Sequence, residues 1–282
     1  MTPLSLNTTE FTVLVSVGSL LAGLLGSLTG LGGGVVIVPM LTLLFGVDFR
    51  YAVGASLVSV IATSSGAAAA YVREGYTNIR IGMFLEVATT IGAVAGAALA
   101  GLIPTSVLAV VLGVVLIYSA FLAGRRDEEH VVVTPDPLAR RLGLDGSYPT
   151  PDGDREYHVQ HVRTGFGVML GAGVLSGLLG IGSGAVKVLA MDQAMCLPFK
   201  VSTTTSNFMI GVTAAASAGI YLARGYVEPG IAMPVMLGVL AGSAIGVRIL
   251  SRSAPGPLRA LFAAVIGVLA IEMILSGLRG RV

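Results

Sequence analysis

Gly30-Leu31-Gly32-Gly33-Gly34 interrupts an apolar run that extends from Phe11 to Gly46, and this interruption decides how the chain folds. A second interruption of the same kind, Gly180-Ile181-Gly182-Ser183-Gly184, follows 150 residues later in an equally apolar setting. Each glycine inside a helix lowers helix stability by roughly 1 kcal/mol relative to alanine. A chain that accepts this cost twice, at equivalent places, is predicted to need bare backbone there.

The composition indicates a membrane protein. The 282 residues are 54% hydrophobic and only 11% charged, whereas a soluble domain carries about 25% charged residues. Several unbroken apolar runs reach the length of about 20 residues that a transmembrane helix needs. We therefore predict an all-α polytopic protein of the cell membrane, with roughly 8–10 membrane segments embedded in the lipid bilayer. The basic residues are scattered over short loops, so nucleic acid is not a predicted partner.

The second half of the chain repeats the first at an offset of 150 residues without a gap. Glycines, cations and tyrosines all take part in the match. The matched pairs include Gly23 with Gly173, Gly30 with Gly180, Gly32 with Gly182, Gly34 with Gly184, Arg50 with Lys200, and Tyr76 with Tyr226. The sequence therefore predicts two homologous membrane repeats, 1–124 and 164–282, joined by a hydrophilic linker, 125–163.

The relative orientation of the halves depends on how many times each half crosses the membrane. If each glycine break turns a helical hairpin, each half has five passes and the second half is inverted. Four passes would leave the halves parallel. With either count most basic residues lie on the linker side, so the positive-inside rule predicts a cytoplasmic linker. We favour inverted repeats, because residues 1–10 carry no basic side chain.

The glycine breaks are predicted to bind an anion. A helix that begins inside the membrane presents unpaired N–H groups and about half a positive charge. Glycine leaves these groups uncovered, so an anion can bind without a salt bridge. Paired interrupted helices are typical of secondary transporters with a site near the midplane. The predicted substrate-binding glycines and serine are Gly32, Gly33, Gly34, Gly182, Ser183 and Gly184.

Close helix packing is the alternative role for these glycines. Gly92 and Gly96, like their counterparts Gly242 and Gly246, have the four-residue spacing that lets helices touch. For these four we favour packing. For the two breaks we favour a ligand site, because packing does not need runs of adjacent glycines.

Lys187 is the most informative single side chain. It follows Gly184 by three residues, among apolar neighbours, where the first half has Ile37. A charge in a membrane segment costs about 3 kcal/mol on insertion scales and usually has a function. We predict that Lys187 adds positive charge to the anion site. The alternatives are a snorkelling lysine or a structural pair with Asp192.

Other polar residues in the predicted spans complete the candidate site. Ser56, Ser206 and Asn207 could donate hydrogen bonds to an oxyanion, although N-capping and interhelical bonding are equally plausible roles. Glu86 and Glu272 are candidate protonation sites for ion coupling. The spans contain no histidine, so we predict no enzymatic activity, no metal and no cofactor.

The motif Gly23-Leu-Leu-Gly-Ser-Leu-Thr-Gly-Leu-Gly-Gly-Gly34, which continues to Pro39, resembles the TauE/SafE family of sulfite exporters and sulfonate permeases. Gly177-Leu-Leu-Gly-Ile-Gly-Ser-Gly184 and residues 200–211 resemble the same family in the second half. The likeness covers nearly the whole chain except the linker. It implies a permease for a small anion such as sulfite or an organosulfonate, driven by a proton or sodium gradient. Ser183 and Leu189 depart from the pattern, where the first motif has Gly33 and Pro39.

Two other functions fit the same sequence. An uncoupled anion channel would use the same site without an ion gradient. A membrane scaffold or accessory subunit would use the glycines only to pack helices. The sequence leaves the transport direction and homo-oligomer formation open.

Overall fold

Helices dominate the computed structural model, which describes residues 7–29, 34–73, 75–123, 136–150, 153–250 and 255–281. The helices of the first half are α1 (Thr8–Thr29), α2 (Gly34–Pro39), α3 (Phe49–Arg73), α4 (Ile79–Ala100) and α5 (Thr105–Ala123). Those of the second half are α7 (Val162–Leu179), α8 (Gly184–Leu189), α9 (Phe199–Ala223), α10 (Pro229–Leu250) and α11 (Pro255–Leu278). The predicted helical class is confirmed.

Several of these helices are apolar enough for a membrane. Within the described residues, α4, α7 and α9 are each long and apolar enough to cross it. Shorter apolar helical stretches are Thr8–Leu24, Gly34–Leu44, Thr105–Phe121, Pro229–Ile245 and Ala263–Leu278. Since about 20 apolar residues span the hydrocarbon core, the fold is that of a helical membrane protein.

The helix that follows each break is built in the same way in both halves. α2 continues as the π-helix Met40–Leu44, and α8 continues as the π-helix Ala190–Ala194. Pro39 lies inside α2, but the matching residue in α8 is Leu189. The π-helical turn therefore does not depend on a proline, although a proline removes a helix hydrogen bond. The bounds of α3 and α4 also recur in α9 and α10 at the offset of 150.

Helices α3 and α9, which are equivalent in the two halves, pack in an antiparallel pair. On α3, Gly54 lies against the Tyr226 carbonyl group, whereas Ser64, ten residues later, lies against Gly211 of α9. The contacts along α3 therefore proceed backwards along the second half, and α3 and α9 run in opposite directions.

Helices α4 and α7, and likewise α1 and α10, pack in parallel, backbone against backbone. A Cβ atom on Gly92 or Gly96 of α4 would lie 2.2 Å from the carbonyl oxygen of Leu170 or Val174 of α7. A Cβ on Gly242 of α10 would lie 2.0 Å from a carbonyl oxygen of α1. The packing role predicted for these glycines is confirmed. The surroundings of Gly246 lie outside the described part of the structure.

The described part of the hydrophilic segment is folded. It contains α6 (Pro137–Leu142) and an antiparallel hairpin of β1 (Gly146–Thr150) and β2 (Gly153–Tyr157), which the sequence did not predict. Asp136 caps α6, because its Oδ1 accepts from the Leu138 N–H at 2.8 Å. Its Oδ2 accepts from the Val162 N–H at 3.2 Å, so the same carboxylate joins the linker to α7. These hydrogen bonds, led by that from Leu138, hold the pKa of Asp136 below its ordinary value.

The hairpin packs on the membrane helices through Tyr157 and Asn78. The Asn78 amide donates to the Leu144 carbonyl oxygen at 3.0 Å and to the Tyr157 hydroxyl oxygen at 2.7 Å. Burial raises the pKa of Tyr157 to about 12. Because the Asn78 side chain also accepts from the Ile81 N–H, one residue caps α4 and fixes the hairpin beneath it.

Candidate functional site

The second glycine break is a tight reversal of the chain inside the protein. Gly180 ends α7 with φ 68°, and Gly182 and Ser183 follow with φ 70° and 47°. This left-handed region is easy for glycine and costly for a serine. Ile181 and Ser183 are each 2% exposed. The break therefore starts α8 within the apolar interior rather than at a surface.

The start of α2 at Gly34 lies beside the second break. Ser56 of α3 donates to the Gly180 carbonyl oxygen at 2.8 Å, and its Oγ lies 3.4 Å from the Gly34 carbonyl oxygen. Its counterpart Ser206 of α9 donates to the Gly184 carbonyl oxygen at 3.3 Å. Both hydroxyl protons point at backbone, so in this structure the two serines hold the breaks in place. Gly32 and Gly33 lie outside the described residues.

The glycines of the breaks also have little room. A Cβ on Gly34 would lie 2.6 Å from Val60 Cγ2, and one on Gly182 would lie 2.8 Å from Ile210 Cγ2. Real Cβ atoms do not approach heavy atoms this closely. The same residues therefore expose backbone and allow α3 and α9 to approach the breaks.

Lys187 lies at the centre of a buried polar network. Its side chain is fully buried, and its Nζ donates to Thr213 Oγ1. Nζ lies 4.0 Å from Glu86 Oε2. The other carboxylate oxygen, Glu86 Oε1, accepts from Thr213 at 2.7 Å and from Thr90 at 3.2 Å. The network joins α8, α9 and α4, and the ion pair of Lys187 is with Glu86.

The ammonium group of Lys187 lies on the side of α8 where the break is. α8 and α9 form an antiparallel hairpin, in which Gly184 faces Ser206 and Gly182 faces Ile210. Thr213, the partner of Nζ, is one turn further along α9 than Ile210. Helical side chains tilt towards the N-terminus of their own helix, and Lys187 extends in this direction. The ammonium group of Lys187 therefore lies nearer to the break than the backbone of Lys187 does.

Several buried polar atoms in this region have no hydrogen-bond partner among the described residues. They include Ser176 Oγ at the end of α7, Ser183 Oγ in the break, and Glu86 Oε2. Buried polar groups are normally satisfied, and an orphan costs about 1–3 kcal/mol. Of these atoms, Glu86 Oε2 belongs to the network of Lys187, from whose Nζ it lies 4.0 Å.

Asn207 and Glu272 have different surroundings. Asn207 of α9 is 8% exposed, and no described residue hydrogen-bonds to its amide. It stands one turn before Gly211, which lies against Ser64 of α3. Glu272 of α11 has an exposed side chain, and no described contact joins it to Glu86. The structure thus brings Glu86, but not Glu272, to Lys187.

Cations and tyrosines from opposite halves are in contact at both ends of the α3–α9 pair. Lys200 Nζ lies 3.6 Å from the centroid of the Tyr76 ring. At the equivalent position, the Arg50 guanidinium lies 5.7 Å from the centroid of the Tyr226 ring. Cation–π contacts of this kind stabilise by about 0.5–1 kcal/mol when exposed. Sequence reasoning did not assign these contacts, although all four residues belong to the repeat.

Comparison with known proteins identifies the family. The model of the family described as sulfite exporter TauE/SafE matches residues 15–273. The probable membrane transporter protein YunE of Bacillus subtilis is 28% identical over 247 residues, which cover 85% of this chain and 88% of that protein. The probable membrane transporter protein MJ0441 of Methanocaldococcus jannaschii is 26% identical over 279 residues, which cover 93% and 95%. No solved structure matches at a significant level. Since the family model spans nearly the whole chain, the protein belongs to the TauE/SafE family and is a membrane transporter.

Proposed function

We propose that the protein is a secondary transporter that moves a small oxyanion, sulfite or an organosulfonate, across the cell membrane. One observation carries the proposal: the start of α2 at Gly34 lies beside the second break inside the protein, with a fully buried lysine at the level of that break. Helix starts and an ammonium group both attract anions. The description of the family names sulfite export, and the names of the similar proteins say only that they are probable membrane transporters.

The anion is bound mainly by backbone. The N–H groups of Gly32, Gly33 and Gly34 on one side, and of Gly182, Ser183 and Gly184 on the other, supply donors at two helix starts. Lys187 adds charge, and the amide of Asn207 adds a donor from α9. Ser56 and Ser206 act on the anion indirectly, by fixing the backbone that binds it. The helix from Gly184 through Ala194 is continuous, so its dipole adds to the field at the break.

The two membrane repeats, 1–124 and 164–282, form an inverted pair. The antiparallel course of α3 against α9 supports this arrangement. So does the course of α5 against α11, where Gly113 faces Ala270 and Gly277 faces Ser106. Each half then contributes five helical segments, of which the one after the break is short. Inverted repeats around a central site allow alternating access by rocking of one half against the other.

The linker, 125–163, lies on the cytoplasmic side. Its arginines, together with Arg80 and Lys200 at the same end of the helices, give this end most of the basic residues. The contact of Arg80 with the Gly143 carbonyl oxygen at 3.4 Å places linker and helix ends together. The partners of the protein are then the anion, the bilayer and a coupling ion, with homo-oligomers left to experiment.

Flux into proteoliposomes tests the proposal. Purified protein is reconstituted, and uptake of labelled sulfite, sulfoacetate and methanesulfonate is compared with protein-free vesicles. We expect saturable uptake of at least one of these anions. Gly182→Leu should abolish it, because its Cβ already meets Ile210. Gly171→Leu is the matched control on α7, since nothing lies within 4 Å of its Cβ.

Two outcomes would contradict the proposal in different ways. Folded protein that moves none of the three anions would show that the breaks only pack helices, as in a scaffold. Saturable flux that ignores both proton and sodium gradients would identify an uncoupled channel instead.

A further inference from the structure

We infer that Glu86 and Lys187 are the coupling site itself, at which one proton binds to Glu86 for each anion bound beside Lys187. The inference rests on the proposed anion transport and deepens it, because it names the coupling ion and its ligand. It makes the protein a proton–anion symporter in which the carboxylate and the transported anion compete for one ammonium group.

Charge balance at the buried Lys187–Glu86 pair links the anion to a proton. Lys187 is fully buried and Glu86 is 9% exposed, and together they are neutral. A monovalent anion that binds at Lys187 leaves this buried site with one excess negative charge, which a buried site resists strongly. Protonation of Glu86 restores neutrality: one O–H bond forms on the carboxylate, and no other bond changes. The anion and the proton therefore stabilise each other at this buried site.

The geometry of the carboxylate shows where the proton binds. Oε1 already accepts hydrogen bonds from Thr213 and Thr90. Oε2 is buried, has no hydrogen-bond partner among the described residues, and lies 4.0 Å from Lys187 Nζ. Oε2 thus has a free lone pair, and its protonation weakens the attraction of the carboxylate for the ammonium group. Thr213, which contacts both charged groups, can stay in place while Lys187 exchanges Glu86 for the anion.

The elements packed against Glu86 present few other charges. α8 contributes Lys187, and α9 contributes Thr213 beside Met209. The face of α7 that packs on α4 presents glycines with Leu170 and Val174. Among the described residues, Lys187 is therefore the charged group that acts on Glu86. A change in the charge of Glu86 is felt first by Lys187.

The site exists in one half only. The residues that match Lys187, Thr213 and Glu86 at the offset of 150 are Ile37, Thr63 and Met236. Thr63 donates to the Ser59 carbonyl oxygen at 3.0 Å within its own helix. The equivalent place in the other half thus has no group that can take a proton. This asymmetry sets the expected stoichiometry at one proton for each anion.

Reciprocal linkage gives a quantitative expectation. If anion binding requires uptake of one proton, the apparent Kd of the anion rises about tenfold for each pH unit in the range where Glu86 is ionised. Glu86→Gln mimics the protonated side chain and releases Lys187. Its anion affinity should be as tight as that of the wild type at low pH, and constant with pH.

The experiment counts protons and anions in the same proteoliposomes. The anion is methanesulfonate, which stays monovalent at every pH tested; if the wild type moves only sulfite or sulfoacetate, that anion is used and the protons it carries itself are subtracted from the count. The membrane potential is clamped at zero, and protein-free vesicles give the background. We expect the wild type to take up one proton for each anion. When an inward proton gradient is imposed, the anion should accumulate inside the vesicles. Glu86→Gln should move the anion downhill without proton uptake. Glu272→Gln tests the rival carboxylate, and Glu228→Gln, an exposed carboxylate, is the charge-matched control; both should stay coupled.

The outcomes separate the two proposals. Wild-type anion flux without proton uptake, or a Glu86→Gln variant that still takes up protons, overturns the inference and leaves anion transport standing. Coupling lost in Glu272→Gln instead also overturns it. Absence of anion flux in the wild type overturns the proposed function. If Glu86→Gln fails to fold, the proton count of the wild type and the pH dependence of its anion affinity decide the question.

Discussion

The segments that follow the two glycine breaks share a backbone and differ in what they bury. Residues 34–44 and 184–194 have the same helical and π-helical bounds, 150 residues apart. The first buries Ile37 in an apolar core, and the second buries Lys187 at the same place, also fully. The comparison shows that the repeat specifies the scaffold, and that a few substitutions within it specify the chemistry.

The two halves also use an equivalent threonine in different ways. Thr63 and Thr213 occupy equivalent positions near the middle of α3 and α9. Thr63 satisfies its hydroxyl group within its own helix, whereas Thr213 joins Lys187 to Glu86. A residue that has a local role in one half has a central role in the other, because its neighbours differ.

Replacement of Lys187 should reduce the stability of the protein more than any other substitution considered below. Lys187→Met makes the second segment resemble the first but leaves the Glu86 carboxylate buried and unpaired. Loss of one partner of a buried ion pair costs about 3–5 kcal/mol, and the variant should also lose its thermal stabilisation by anions. Chemical unfolding in detergent and a thermal-shift assay with sulfite measure both effects.

Ile37→Met is the matched control for that variant, because it preserves an apolar side chain of similar volume and should cost less than about 1.5 kcal/mol. The double variant Lys187→Met/Glu86→Gln removes both charges and should recover most of the lost stability, but not the response to sulfite. If the Lys187→Met variant is as stable as Ile37→Met, the ion pair of Lys187 and Glu86 makes no contribution to the free energy of unfolding.

The next prediction tests whether the two halves share one scaffold. Gly92 and Gly242 are equivalent, and a Cβ on either would lie within 2.2 Å of a carbonyl oxygen on the partner helix. Gly92→Ala and Gly242→Ala should therefore each destabilise by about 1–3 kcal/mol, the usual cost of overpacking. Thermal unfolding in detergent measures the two costs, with Gly171→Ala as control because its Cβ meets nothing. A cost at one glycine without a similar cost at the other would mean that the halves are stabilised differently.

Much of the scaffold could be predicted from the sequence, because it repeats. The offset of 150 is visible in the residues themselves, and the structure confirms the helices, the second break and the close packing of Gly92, Gly96 and Gly242. Spacing along one chain reports local structure well. Helices, breaks and glycine spacings could be predicted because each depends on residues that are close in sequence or on the repeat at an offset of 150 residues.

The contacts between distant residues could not be predicted in the same way. Glu86 and Lys187 were both identified as unusual charges in apolar segments, yet their pairing depends on α4 packing beside α8 and α9. The bond from Ser56 to Gly180 crosses between halves, so it also depends on packing. The hairpin of β1 and β2 lacks a strong alternating pattern, and it is stabilised by Asn78 of a different segment.

Replacement of Ser183 in the second break should change stability by a smaller amount. Ser183 is left-handed, with φ 47° and an unpartnered hydroxyl group, where the first half has Gly33. Ser183→Gly removes the side chain from a conformation that costs an L residue roughly 1–2 kcal/mol. The variant should be more stable in thermal unfolding, yet respond less to sulfite, because one donor is lost. Increased stability with an unchanged response would assign Ser183 no part in anion binding.

Replacement of either of the two serines that hold the breaks should change stability least, and by different amounts at the two sites. Ser56 bonds to the Gly180 carbonyl oxygen at 2.8 Å, whereas Ser206 bonds to that of Gly184 at 3.3 Å. A buried hydrogen bond contributes about 1 kcal/mol, and the longer bond should contribute less. Ser56→Ala should therefore destabilise more than Ser206→Ala when both are unfolded chemically. Because Ser56 also lies beside Gly34, its loss should loosen both breaks and weaken the response to sulfite, whereas Ser206→Ala should leave most of it. Equal losses of stability and response would mean that the two breaks are held equally, and that the asymmetry of the site comes from Lys187 and its neighbours alone.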